Sequence, residues 1–202
     1  METALFVANA TAAIGALVPL ALILLGVFWG ILLYNSLVLS RNRTREAWSG
    51  IDVQLKRRSS LIPNLVESVR GYTRHEHAVF AEVAQARGAL AKATGPGGTP
   101  AAAAIADQGL TAALGRLMAV AENYPQLQAA ASFQQLQSEL TDTEEKIAYA
   151  RQFYNQNALD YNTRIQCFPG NQFASWFRFQ PVDFFHAEEA AKEEVKVSFS
   201  EA

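Results

Sequence analysis

The sequence is poor in cysteine, in net charge and in the punctuation of catalytic sites. Cys167 is the single cysteine among 202 residues, so no disulfide can close within the chain, and a lone thiol fits a reducing compartment. The 17 basic and 19 acidic residues leave a formal net charge of −2. That balance gives no concentrated basic face, so no nucleic-acid partner is expected. Gly95-Pro96-Gly97-Gly98 lacks the lysine and the preceding strand of a phosphate loop and reads as a flexible turn. His75-Glu76-His77 lacks the spacing of a zinc hydrolase helix, where histidines four apart share a face; the residue four after His75 is Val79. Cys167 lies where a helix is expected to end, and the helix dipole there disfavours a thiolate. No catalytic residue, no metal and no cofactor is expected.

The sharpest absence is local. From Thr3 to Ser40 there is no charged residue, and Ile14 to Val38 reads as an apolar run. About 20 apolar residues cross the hydrocarbon core as a helix. Ile14, Leu17, Leu22, Leu25, Phe28, Trp29, Leu32 and Tyr34 are the candidate anchor residues, with Trp29 and Tyr34 toward the water interface. Pro19 is tolerable in such a helix. A cleaved signal peptide is the competing reading, but it needs a basic leader, and no Lys or Arg precedes Arg41. The lipid bilayer is therefore the first expected partner. Arg41, Arg43, Arg45, Lys56, Arg57 and Arg58 come after the run, while Glu2 alone precedes it. The positive-inside rule places the N-terminus outside and the remainder in the cytoplasm, at the inner (cytoplasmic) membrane, as a single-pass protein.

Beyond residue 40 the chain carries helical signals and almost no strand pattern. Leu136, Leu140, Thr143, Ile147, Ala150, Tyr154, Asn157 and Tyr161 recur at spacings of four and three and form one seam. Ser132 and Gln135 have the capping-box form at its start, and Phe168-Pro169-Gly170 stops it. Thr99 and Pro100 open another helix, whose face is Leu110, Leu114, Leu117, Ala121 and Tyr124. Upstream, Trp48, Ile51 and Leu55 continue from the anchor, and Leu65, Val69, Tyr72, Val79, Phe80, Val83 and Leu90 form another stretch. Pro63 lies between them. A reversal there is the favoured expectation, and a kinked rod the alternative. The fold class is then all-α: a single N-terminal transmembrane helix, an antiparallel four-helix bundle standing roughly 35–50 Å from the bilayer, and an irregular aromatic-rich C-terminal tail. The expected boundaries are a short N-terminal tail over 1–11, the anchor over 12–38, the bundle over 39–168 and the C-terminal tail over 169–202.

Asp52 and Lys56 suit a helix pair. Arg57, Arg58, Arg116 and Arg151 are candidates for ion pairs with Glu67, Glu122, Glu139 or Glu144. The pairs Tyr154-Asn155 and Tyr161-Asn162, one heptad apart, are either polar register keys or the lining of a partner groove. In the tail, Phe173, Trp176, Phe177, Phe179, Phe184 and Phe185 are either a partner-binding or interfacial patch or the closure of the bundle's open end. Val195, Val197 and Phe199 suggest a short extended segment.

Taken together, these residues resemble the LemA family of bacterial membrane proteins. The resemblance is carried by Tyr34-Asn35, Arg41-Asn42-Arg43, Glu46-Ala47-Trp48, the run from Ile51 to Arg58, Leu61-Ile62-Pro63-Asn64-Leu65-Val66, Gly71-Tyr72, Ala113 to Leu117, Tyr124-Pro125, Ala150-Arg151, Tyr154-Asn155, Tyr161-Asn162 and Phe168-Pro169. It covers Tyr34 to Pro169 and leaves the tail unsupported. It implies one anchor and a four-helix bundle, and it names no agreed biochemical role. Some relatives are tied to internal membrane organelles in magnetotactic bacteria, and others are encoded beside a membrane zinc metalloprotease. The expected function is a non-enzymatic scaffold that forms a homo-oligomer on the membrane. The alternative is an adaptor whose partner is a membrane metalloprotease.

Overall fold

The computed structural model describes residues 2–73 and 76–186, with side chains at 17, 19–73 and 76–186. Among the described residues six helices succeed one another: α1 (Glu2–Arg70), α2 (His77–Ala93), α3 (Pro100–Ala121), α4 (Pro125–Gln128), α5 (Ala131–Gln166) and α6 (Gly170–Phe177). No strand occurs among the described residues. The chain packs as two compact units. One holds the residues up to Arg43 with Asp160–Pro181, and the other holds Thr44–Leu159 with the described residues from Val182 onward. Both α1 and α5 contribute to each.

The first unit is built on the apolar part of α1. Leu17, Leu22, Leu25, Phe28, Trp29, Leu32 and Tyr34 all lie on its exposed surface or close to it, and the helix is long and apolar enough to cross a membrane. The Ile14 side chain lies outside the described ones. The helix runs on without a break at residue 12 or residue 38, so the expected anchor boundaries are not boundaries of secondary structure. The end of α5 is tied to α1 by Ser40 donating to Asp160 at 3.2 Å and by Arg164 Nη1 donating to Ser36 Oγ at 2.9 Å.

The second unit has one core. Ile51, Leu55 and Leu65 of α1, Val83 and Leu90 of α2, Leu110 and Leu117 of α3, Leu127 of α4, and Phe133 and Tyr154 of α5 are all but fully buried in it. Each such side chain contributes about 1.5–3 kcal/mol of burial free energy. The seam on α5 is as the periodicity implies: Leu140, Thr143, Ile147, Tyr154 and Tyr161 are buried, and Leu136, Ala150 and Asn157 half-buried. Thr99 caps α3 by accepting from the Ala102 amide at 3.2 Å. The capping box at Ser132 does not form. The helix starts at Ala131, and Gln135 reaches forward to Glu139 at 3.2 Å.

The expected reversal at Pro63 is not there. α1 continues through it, and the chain turns only after Arg70. A proline inside a helix leaves the carbonyl four residues earlier without its amide donor. That carbonyl belongs to Ser59, and Arg87 of α2 donates its Nε to it at 3.1 Å. The neighbouring helix supplies a hydrogen bond in place of the one that the proline removes.

The C-terminal tail is more regular than expected, since α6 occupies Gly170–Phe177. Val195, Val197 and Phe199 lie outside the described residues.

Candidate interaction surfaces

In the first unit, α6 folds back on α1. Gly170 opens it where a Cβ would overlap the Arg164 carbonyl and would come within 4.0 Å of Leu37; only glycine lets the turn be this tight. Phe173 comes three residues later and lies over Gly30, where a Cβ would come within 3.3 Å of its ring. Phe177 packs against Tyr34 with ring centroids 4.8 Å apart, and Phe179 meets Tyr34 at 5.9 Å. The Arg41 guanidinium lies over the Phe179 ring at 5.0 Å, a cation–π contact that ends the aromatic cluster on a charge. Tyr161 donates its hydroxyl to the Gln180 carbonyl at 2.8 Å and secures the way out. Phe179 is buried, Phe173 half-buried, and Trp176 and Phe177 remain exposed.

In the second unit, the rest of the tail is drawn into the core. Tyr154 donates to the Asp183 carbonyl at 2.6 Å. Asn155 clamps Phe185 twice: its amide donates to the Phe185 carbonyl at 3.1 Å, and its oxygen accepts from the Phe185 amide at 2.8 Å. Phe185 is buried beside Trp48 at 6.2 Å, and Phe184 is half-buried against the core. Burial, and secondarily Asp183, pushes the Tyr154 hydroxyl up to about 12. Tyr154, Asn155 and Tyr161 thus hold the protein's own returning segment. Of the six aromatics singled out in the tail, Phe179, Phe184 and Phe185 are spent on packing, and Trp176 and Phe177 still face outward.

Arg57, Arg58 and Arg116 form ion pairs, with partners other than the expected ones. Arg58 meets Asp107 at 2.8 Å, with both side chains almost fully buried. Arg116 meets Glu82 through Nε at 2.8 Å and through Nη2. Arg57 lies 3.8 Å from Asp142 at the surface. Asp52 and Lys56 pair at 2.6 Å as their spacing implies. Asp107 was invisible to sequence reasoning, because one acid on an alanine-rich helix carries no pattern. Burial raises its carboxyl above the usual range, and the Arg58 charge works against that rise. Arg58 Nε is buried without a hydrogen-bond partner among the described residues.

His77 and His186 are exposed, and Cys167 is exposed at the end of α5; His75 lies outside the described residues. Among the described residues, no three His, Cys, Asp or Glu side chains are grouped to hold a metal ion. A shallow groove of about 700 Å³ runs between α1 and α5 in the second unit, lined by Gly50, Gln54, Lys146, Tyr149 and Phe153 among others. Tyr149 and Phe153 are strongly exposed on it.

A long helix with an uncovered apolar part, continuing into an all-helical core, defines the class of protein, and comparison with known proteins gives the family. The LemA family profile matches residues 47–199, and the chain belongs to the LemA family. It is 30% identical over 179 residues to the magnetosome protein MamQ of Magnetospirillum gryphiswaldense, a match covering 78% of this chain and 66% of that relative, slightly under two thirds of its length. The magnetosome protein MamQ 2 of Paramagnetospirillum magneticum matches to the same extent. The protein LemA of Metamycoplasma hominis is 26% identical over 164 residues, covering 81% of this chain and 74% of that relative. The apolar helix and these relatives point to membrane association.

Proposed function

We propose that the protein is a non-enzymatic scaffold that is anchored in the inner membrane by α1 and self-associates there, with the N-terminus outside and the helical core in the cytoplasm. The observation that carries this reading is α1 itself. One unbroken helix presents an uncovered apolar surface over residues 17–34 and a buried one over residues 47–69. The basic residues Arg41, Arg43 and Arg45 directly after the uncharged run support the orientation. In this reading the distal part of α1 forms an antiparallel four-helix bundle with α2, α3 and α5. The short connections at 71–76, 94–99 and 122–130 support that topology, because short links join antiparallel neighbours. The relatives named as magnetosome proteins support a setting in membrane organisation.

Self-association needs a surface, and the α1–α5 groove offers exposed Tyr149 and Phe153 beside the small Gly50. Aromatic side chains are enriched at protein–protein interfaces. Photocrosslinking from positions 149 and 153 of the full chain in native membranes, with the products identified by mass spectrometry, tests the reading. Crosslinks dominated by a second copy of the chain are the expected result. A dominant second membrane protein, such as a metalloprotease, would replace the scaffold with an adaptor.

A further inference from the structure

The uncharged run is longer than a bilayer needs. From Thr3 to Ser40 an unbroken helix spans about 57 Å at about 1.5 Å per residue, against about 30 Å of hydrocarbon. The run by itself does not fix which of its residues lie at the water interface; something else must set that depth.

α6 is placed to do so. The α5–α6 turn lies at Leu37, the chain dips to Gly30 at Phe173, and it returns to Tyr34 at Phe177. These three levels lie within the uncharged run, and Gly30 precedes Arg41, the first charge, by about 16 Å along the axis. The helix is amphipathic. Phe173, Trp176 and Phe177 recur at spacings of three and four; Asn171, Gln172 and Ser175 are exposed, and Gly170 and Ala174 are buried. Trp176 leaves 70% of its surface uncovered and Phe168, at the turn, 80%. Arg41, Arg164 and Arg178 border the cluster. Amphipathic aromatics at the end of an apolar span, edged by arginines, have the chemistry of the headgroup–acyl boundary.

We infer that α6 is a second membrane contact, an interfacial wedge whose Phe168, Trp176 and Phe177 enter the same leaflet as the C-terminal end of the α1 span and fix its depth. Tyr34 is thereby held at the interface, and the surplus of the run is placed on the N-terminal side of Gly30. The occupant of this surface is the bilayer. Phe173 and Phe177 line one apolar hollow with Ile23, Val27, Gly30 and Tyr34 of α1, Trp176 lies beside Phe173 at 5.6 Å, and of the bordering charges Arg164 is paired with Asp160 while Arg41 and Arg178 are cations that anionic headgroups accept. The inference rests on the proposed anchoring of α1, and its test separates the two.

The full chain holds three tryptophans, Trp29, Trp48 and Trp176. Two single-tryptophan variants in liposomes, W29F/W48F and W48F/W176F, report on positions 176 and 29 by quenching with lipids brominated at shallow or deep acyl carbons. Trp176 should emit at short wavelength, be quenched at least twofold by shallow bromines, and be shielded from aqueous iodide. Trp29 should respond to deeper bromines. Trp29 quenched with Trp176 open to iodide would overturn the wedge and leave the anchor standing. Neither tryptophan quenched would overturn both. Trp176 shielded from iodide yet blind to bromines would mean that protein covers the face, which also overturns the wedge. Because W48F touches the core, a nitroxide at position 176 (W176C in a C167S chain) gives the same reading with Trp48 intact: oxygen access above that of a water-soluble nickel reagent is expected, and the reverse would overturn the wedge.

Discussion

Leu24 and Leu55 sit on one unbroken helix, and Leu24 leaves 61% of its surface uncovered while Leu55 leaves none. The same contrast runs the length of α1. Around residues 47–69, four other helices bring Val83, Leu117, Leu127, Phe133 and their neighbours to cover it. Around residues 17–34, α6 and Phe179 lie against it among the described residues, at Gly30 and Tyr34. An isolated apolar surface of that size has no stable place in water. Both parts belong to one helix; what differs is how much of its apolar surface the rest of the described chain covers.

Charging the uncovered part should have the largest effect. L24R/L25R costs about 6–8 kcal/mol of insertion free energy, and the protein should leave the membrane fraction on flotation. Breaking the buried ion pair comes next. Arg58→Met leaves Asp107 buried without its cation and should lower unfolding stability by about 4 kcal/mol, whereas R58M/D107L should recover most of it. The sign of the pH dependence is set by burial. Asp107 already has a folded value raised above its unfolded one, and losing Arg58 raises it further. Stability tied to this group is lost as pH rises and regained as pH falls, so the R58M deficit should shrink in acid in denaturant titrations. Truncating the covered part comes third: Leu65→Ala should cost about 3 kcal/mol, while Leu24→Ala should leave the stability of the core within about 0.5 kcal/mol. Removing the cap with Thr99→Ala should cost about 1 kcal/mol by thermal melting. Tyr154 gives the gentlest perturbation. Its folded value of about 12 lies above the ordinary 10, so its share of stability is intact below pH 10 and lost between pH 10 and about 12, concurrent with the ultraviolet signal of tyrosinate.

Much of this organisation is written in the sequence where it repeats. The uncharged run, the α5 seam and the Thr99-Pro100 start are patterns of several residues, and each names its element. Pro63 misleads because a proline that often kinks or breaks a helix is accommodated here, and the donor to the freed carbonyl, Arg87, is 24 positions away in the chain. The Arg58–Asp107 pair is hidden for the same reason, since neither residue announces the other. The Tyr-Asn pairs are visible as a motif, but what Tyr154, Asn155 and Tyr161 hold is an irregular segment without periodicity, bound through its backbone at Gln180, Asp183 and Phe185. The aromatic tail is visible as a cluster. Its division into Phe185 in the core and Trp176 outside rests on where α5 ends and where Gly170 permits a tight turn.

The most direct test of membrane anchoring is alkaline carbonate extraction of membranes carrying the full chain. The unaltered protein should stay in the pellet, and L24R/L25R should move to the supernatant. Release of the unaltered chain into the supernatant would contradict anchoring by α1.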